Sequence, residues 1–362
     1  MIVANFTIEY TRFLDPAGNL VQPLPKFAED PKNLIELYRQ MVSLRTFDAK
    51  AVALQRTGKM GTYASTLGQE AVSVAMGHAM RPEDVFCPSY REYGTQLQRG
   101  VKMSEILTYW GGDERGSQFA HCPEDFPISV PIGTQYLHAA GVATAFKLRK
   151  QPRVAVAACG DGGTSEGDFY EAINAAGAWK LPVVFMVINN QWAISFPRIA
   201  QTGTTTLAQK AIAGGFTGEQ VDGNDVIAVR YAVEKALEKA RNGGGPSLIE
   251  AITYRLCDHT TADDASRYRE KAELEKAWTE EPLIRLRTYL MAQGLWTQQD
   301  EDNLLAECSA NVEIAVQEYT SLPAPAPESM FDYLYATLPH DLHEQREQAI
   351  AFFTPHGGHG HG

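Results

Sequence analysis

Residues 154–195 read VAVAACGDGGTSEGDFYEAINAAGAWKLPVVFMVINNQWAIS. VAVAAC (154–159) and VVFMVI (183–188) are continuous apolar runs, separated by a glycine-rich turn and a helix-length segment from about 168 to 180. Strands that are apolar on both faces belong to a parallel sheet covered on both sides. The stretch therefore predicts a βαβ unit with a right-handed crossover.

The same alternation continues on either side. Downstream, Val226, Val229, Val233, Leu237 and Ala240 keep helical spacing, with Asn224 as expected N-cap and Gly243 in C-cap position. SLIEAITY (247–254) supplies a further buried strand, and helices over 282–293 and 300–319 close the domain. Upstream, Leu34, Leu37, Tyr38, Met41 and Val42 mark a long helix to Arg56, closed by Gly58. GQEAVSVAMGHAMR (68–81) is a second, small-residue helix ended by Pro82, so two helices are expected before the first strand. The pattern as a whole predicts an α/β class fold, a doubly wound, mostly parallel sheet with helices on both faces. Four segments are expected: an extended arm over 1–31, the main domain over 32–322, a Pro-rich linker and last segment over 323–355, and a flexible His/Gly tail over 356–362.

Composition narrows the function classes. With 32 Lys and Arg against 44 Asp and Glu, the formal charge is -12, so the overall field repels nucleic acid and anionic lipid surfaces. The five cysteines form no C-x-x-C pair, which suits a reducing compartment. No stretch approaches the roughly 18 apolar residues of a membrane span, and the first residues lack the basic flank and apolar core of a secretory signal. The expectation is a cytoplasmic protein with neither membrane nor nucleic-acid partner.

Chemistry concentrates in Gly160-Asp161-Gly162-Gly163. Glycine at a strand-to-helix turn lets backbone N–H groups approach a phosphate. A dinucleotide fingerprint needs G-x-G-x-x-G, but Ser165 stands at its last position, and a P-loop needs G-K-[ST], which is absent. A nicotinamide-dependent Rossmann oxidoreductase thus rests on the glycine-rich turn alone. Asp161 would repel a phosphate unless a divalent cation lies between them. The second strand ends in Asn189-Asn190-Gln191-Trp192, and a right-handed βαβ unit brings that end beside Asp161 at the carboxyl edge of the sheet. Asp161, Asn190 and a backbone carbonyl near Trp192 then form a hard-oxygen set suited to Mg²⁺. The plainer alternative is a tight turn beside a capped strand end.

GDGGTSEGDFYEAINAAGAWKLPVVFMVINNQWAIS (160–195) closely resembles the alpha subunits of the first component of 2-oxoacid dehydrogenase complexes, which bind thiamine diphosphate. GQEA (68–71), SYREYG (89–94), VPIGTQYLHAAGVA (130–143), VDGND (221–225) and HTTADDASRYR (259–269) extend the resemblance over most of the chain. It implies Asp161 and Asn190 as side-chain Mg²⁺ ligands and Trp192 as a carbonyl ligand, where the family usually carries Tyr or Phe. It implies that Tyr90 and Arg91 reach the diphosphate, that Gly162 and Gly163 donate backbone N–H groups to it, and that Val130 and Ile132 meet the aminopyrimidine. His259 opens the segment matching the family's active-site loop and is implied as a cofactor-binding and catalytic residue. Leu256-Cys257-Asp258 before it departs from the usual family pattern.

The resemblance implies oxidative decarboxylation of a 2-oxoacid with transfer of the acyl unit to a lipoyl group. The acid that activates the cofactor belongs to a pyrimidine-binding domain, and no second strand-rich unit follows Tyr254. Glu70 and Glu92 stand nearest by motif position, in settings typical of structural pairs. Half an active site is therefore expected, completed by a beta subunit in an assembly of two alpha and two beta chains, with a lipoyl-bearing acyltransferase core as further partner. Thr62-Tyr63-Ala64, Gly68-Gln69-Glu70 and residues 132–136 resemble pyruvate-specific bacterial members; NNQWAIS and PAPAPESMFDYLY resemble branched-chain members. Pyruvate is the expected substrate and a branched-chain 2-oxoacid the alternative.

Overall fold

The computed structural model describes residues 1–353, and the tail predicted over 356–362 lies outside the described residues. Six strands form one sheet: β1 (Tyr10–Thr11), β2 (Val85–Cys87), β3 (Ala155–Gly160), β4 (Val183–Asn189), then, numbered after the short hairpin strands β5 (Trp192–Ala193) and β6 (Phe196–Pro197), β7 (Gly218–Asp222) and β8 (Ser247–Ile252). Their order is β1-β7-β8-β4-β3-β2, and every neighbouring pair is parallel. The fold is α/β, as the alternation of apolar runs and amphipathic helices requires.

Both faces are covered. Ala155, Ala157, Val183 and Phe185 pack with Tyr136, Ala139, Phe169 and Ile173 from helices Thr134–Leu148 and Gly167–Ala178. The alternate residues Val156, Ala158, Val184 and Met186 are equally buried and face the other way, where helix Val226–Arg241 packs on β4, β7 and β8. Each large apolar side chain buried here contributes roughly 1.5–3 kcal/mol. Helix–helix approach is close as well: a Cβ at Gly177 would stand 1.7 Å from the Gly214 carbonyl oxygen.

Two expectations need correction. Strands do precede β3: β2 pairs with β3, and the N-terminal arm supplies β1 at the far edge. Neither is long enough to display a period of two, and each exists through its neighbour. The N-cap of helix Val226–Arg241 is Asp225 and not Asn224. Asp225 Oδ1 accepts from the N–H groups of Ile227 and Ala228 at 3.0 and 3.3 Å, while Asn224 Oδ1 is taken by Thr253 Oγ1 at 2.7 Å. Both residue types cap well, and the tertiary partner decides between them.

Contacts divide the described residues into two compact units, 1–315 and those from 316 onward. Within the second, helix His340–Phe353 carries Arg346, which pairs with Asp332 at 3.4 Å. Among the described residues no helix is long and apolar enough to cross a membrane, and the five cysteines are unpaired.

Candidate active site

The register of β3 on β4 pairs Gly160 with Ile188, so Asp161 and the Asn189-Asn190 pair leave the sheet side by side at its carboxyl edge. There the chain borders a cavity of about 570 Å³ lined by Tyr90, Arg91, Val130, Ile132, Asp161, Gly162, Gly163, Asn190, Trp192 and His259, together with Gln69, Glu92 and Gln201. Every residue implied as a metal or cofactor contact thus borders one space, as does Glu92, whereas Glu70 does not.

The first turn is a 3-10 segment, Asp161–Ser165. Thr164 Oγ1 donates to the Asp161 carbonyl at 2.8 Å, and Lys210, only 5% exposed, donates to the carbonyl and Oγ1 of Thr164 at 2.7 and 3.0 Å. The second turn places Gln191 at φ 75° and Ile194 at φ 55°, backbone that residues with a β-carbon adopt rarely. Asn189 Oδ1 holds Gln191 there, accepting from its N–H at 3.3 Å and its Nε2 at 3.0 Å. Asn190 Nδ2 donates to Gln69 Oε1 at 3.1 Å, and its Oδ1 accepts from the Trp192 N–H at 3.2 Å. A Cβ at Gly162 would lie 2.8 Å from that of Ala193, so the two turns approach as closely as glycine permits.

Asp161 is 1% exposed and its Oδ2 has no hydrogen-bond partner. Burial pushes its carboxyl up to about 6. A buried carboxylate oxygen left bare costs free energy unless a cation or donor meets it. Among the described residues no group of three or more His, Cys, Asp and Glu is placed to hold a metal ion, and the donors at this point are oxygens of Asp161, Asn190 and backbone. That chemistry fits Mg²⁺ with further oxygens from a ligand and water. The Trp192 carbonyl accepts from Arg255 Nη1 at 3.4 Å.

Arg91 is buried and cationic, its Nη1 donating to the Ser65 carbonyl at 2.5 Å and its Nη2 to the His259 carbonyl at 2.8 Å; its guanidinium lies over the Tyr90 ring at 5.3 Å. His259 Nδ1 faces Arg255 Nη1 at 3.2 Å and Arg91 Nη2 at 3.4 Å. Guanidinium has no acceptor, so Nδ1 accepts and the ring proton sits on Nε2. Burial, with the two arginines, pushes the His259 pKa down to about 4, and the ring is neutral at pH 7. Val130 and Ile132 stay 49% and 43% exposed along the cavity. Glu70 is spent on Arg45 at 2.7 Å. Glu92 accepts from the Ser89 N–H at 2.9 Å, and burial pushes its carboxyl up to about 7.

Three residues that organise this site were not read from the sequence, and Gln69 was read only as a marker of the substrate. Arg255, fully buried, ties His259 to the Ile194 carbonyl and Tyr268 hydroxyl, both at 2.8 Å. Lys210 and Glu250 are the others. Glu250 carried a legible signal, a carboxylate inside the apolar run SLIEAI; Lys210 sits among small residues that announce nothing.

The description of the dehydrogenase E1 component family matches residues 38–328. Pyruvate dehydrogenase E1 component subunit alpha of Staphylococcus aureus (strain Mu50) is 40% identical over 345 residues, covering 94% of this chain and 92% of its own length. The protein of the same name from Staphylococcus epidermidis (strain ATCC 12228) has the same identity and coverage.

Proposed function

This chain belongs to the dehydrogenase E1 component family, and on that premise we propose that it is the alpha subunit of a pyruvate dehydrogenase, holding Mg²⁺ and the diphosphate of thiamine diphosphate in the cavity at the ends of β3 and β4. The family is one of thiamine diphosphate-dependent 2-oxoacid dehydrogenases. When bound, that cofactor supplies an electron sink for the charge left behind by departing carbon dioxide.

The observation that carries the proposal is the bare, buried Oδ2 of Asp161 beside Asn190. In this reading Asp161, Asn190 and the Trp192 carbonyl hold the metal. Arg91 and Tyr90 face the diphosphate, where a planar guanidinium suits phosphate oxygens, and the backbone N–H groups of Gly162 and Gly163 complete the cradle. Val130 and Ile132 offer apolar contact to the aminopyrimidine. His259 brings an uncharged ring with a proton on Nε2 to the same space and so donates a hydrogen bond without adding positive charge.

No strand follows β8 among the described residues, and neither Glu70 nor Glu92 is free of a local partner. The proposal therefore includes a beta chain that supplies the activating acid, in an assembly of two alpha and two beta chains, and a lipoyl-bearing acyltransferase as acceptor of the acetyl unit, all in the cytoplasm. The test is co-expression with the beta chain. Thiamine diphosphate should bind in Mg²⁺ and fail to bind in EDTA or after Asp161→Ala, and decarboxylation of pyruvate should exceed that of 3-methyl-2-oxobutanoate. Metal-independent binding would overturn the site; the reverse substrate ratio would assign a branched-chain 2-oxoacid instead.

A further inference from the structure

The two halves of the metal site come from separate stretches of chain, and one buried carboxylate reaches both. Glu250 lies in β8 with no exposure. A charge inside an apolar strand persists only where donors surround it. Its oxygens are fully assigned, all to amides: Oε1 accepts from Asn189 Nδ2 at 2.7 Å, and Oε2 from the Ala208 N–H and from Gln220 Nε2, both at 2.9 Å.

Each arm ends at a different half of the site. Through Asn189, whose Oδ1 receives Gln191, Glu250 sets the turn that presents the Asn190 amide and the Trp192 carbonyl. Through Ala208 it anchors the start of the 3-10 segment Ala208–Gly214. That segment carries Lys210, whose ammonium fastens Thr164, and Thr164 in turn holds the Asp161 carbonyl. Resting on the Mg²⁺ site proposed above, the geometry points to Glu250 as the positioning residue that sets Asp161 against Asn190 and thereby the affinity for the metal, without touching metal or cofactor. Outer partners that orient ligands typically change metal affinity by about 10–100-fold when lost.

Glu250→Gln tests this. The new amide meets three donors with only one acceptor oxygen, so Asn189 must turn its own amide and release Gln191. The expected result is an Mg²⁺ affinity weaker by about 10–100-fold at saturating thiamine diphosphate. Adding Asn189→Asp restores the fit with net charge unchanged. The new amide donates to the new carboxylate, whose other oxygen receives Gln191, while the amide's oxygen keeps Ala208 and Gln220. Affinity should then return to near the wild-type value. The measurement is an Mg²⁺ titration of the full chain with its beta partner, followed by tryptophan fluorescence, with urea unfolding of the cofactor-free protein alongside. Wild-type affinity in Glu250→Gln overturns the inference, and so does weakened affinity that the paired change leaves unrestored, since that marks a general packing defect. If Glu250→Gln does not fold, Lys210→Met interrupts the other arm: Mg²⁺ affinity about 10-fold weaker supports the linkage, and an unaltered value overturns it. A wild-type assembly that takes up no Mg²⁺ with the diphosphate overturns the functional proposal and this inference with it, whereas unaltered affinity in the variants overturns the inference alone.

Discussion

Asp161→Asn should make the cofactor-free protein more stable at neutral pH while abolishing metal-dependent cofactor binding. Burial raises the Asp161 carboxyl from 3.8 to about 6, and at 1.36 kcal/mol per pK unit the ionised form is disfavoured by about 3 kcal/mol. Between pH 4 and 6 the native state holds a proton that the unfolded chain has already lost, so stability falls as pH rises through that window and levels off above it. The full penalty is present at pH 7, and the isosteric amide, having no charge to desolvate, removes up to about 3 kcal/mol of it. A divalent cation at Oδ2 relieves the same penalty by drawing out the ionised form. Metal-dependent affinity should therefore rise with pH, by about 10-fold from pH 5 to pH 7 for a carboxyl titrating near 6. Urea unfolding of the cofactor-free protein at pH 5 and 7, with calorimetric titration of Mg²⁺ and thiamine diphosphate at the same two values, measures both. The reasoning is refuted if the variant is less stable than wild type at pH 7, or if wild-type affinity is flat across the two pH values.

Other expectations follow from separate features. His259→Ala should weaken cofactor affinity by the loss of one hydrogen bond, about 10-fold or less, and lower turnover by about 10²–10⁴-fold. Because its folded pKa is depressed to about 4, the histidine's contribution to stability is present above about pH 6.5 and is lost as pH falls toward 4. The wild-type pH–rate profile should accordingly show no limb near 6.5 from this group. Asp48, 3% exposed, accepts from Tyr63, Ser65 and the Thr66 N–H. Asp48→Ala strands three buried donors and should cost about 3–5 kcal/mol in a urea unfolding curve. Gly177→Ala drives a methyl group into the Gly214 carbonyl and should lower stability by about 1–3 kcal/mol or more, read as a drop in Tm.

Much of the architecture was legible because β3 and β4 announce themselves as uninterrupted apolar runs around a glycine turn, and right-handed crossover then forces Asp161 and Asn190 together. The short strands β1 and β2 carry no such period, and their pairing is a property of the neighbours already in the sheet. Capping was ambiguous at 224–225, where two good cap residues adjoin and Thr253, distant in sequence, takes one of them. The residues lining the cavity were read from motifs in which charge or glycine is unusual for its setting. The residues behind them were not: Arg255 and Lys210 act through partners 61 and 46 positions away, and nothing local marks such reach. Glu250 is the exception, an acidic residue in an apolar strand that already called for an explanation.

The arm that forms β1 has a consequence for how the chain is made. Its main-chain N–H groups at Phe13 and Leu14 are held by the Asp225 carboxylate at 2.6 and 2.8 Å, and Arg12 is held by Asp222, at sequence separations of 210 to 212. At ribosomal rates of roughly 5–20 residues per second, the arm, once synthesised, waits about 10–40 s for the strand it borders. Until β7 and Asp225 emerge, the arm's backbone and apolar side chains have no place on the sheet to dock, so its pairing is among the contacts of greatest sequence separation and closes late.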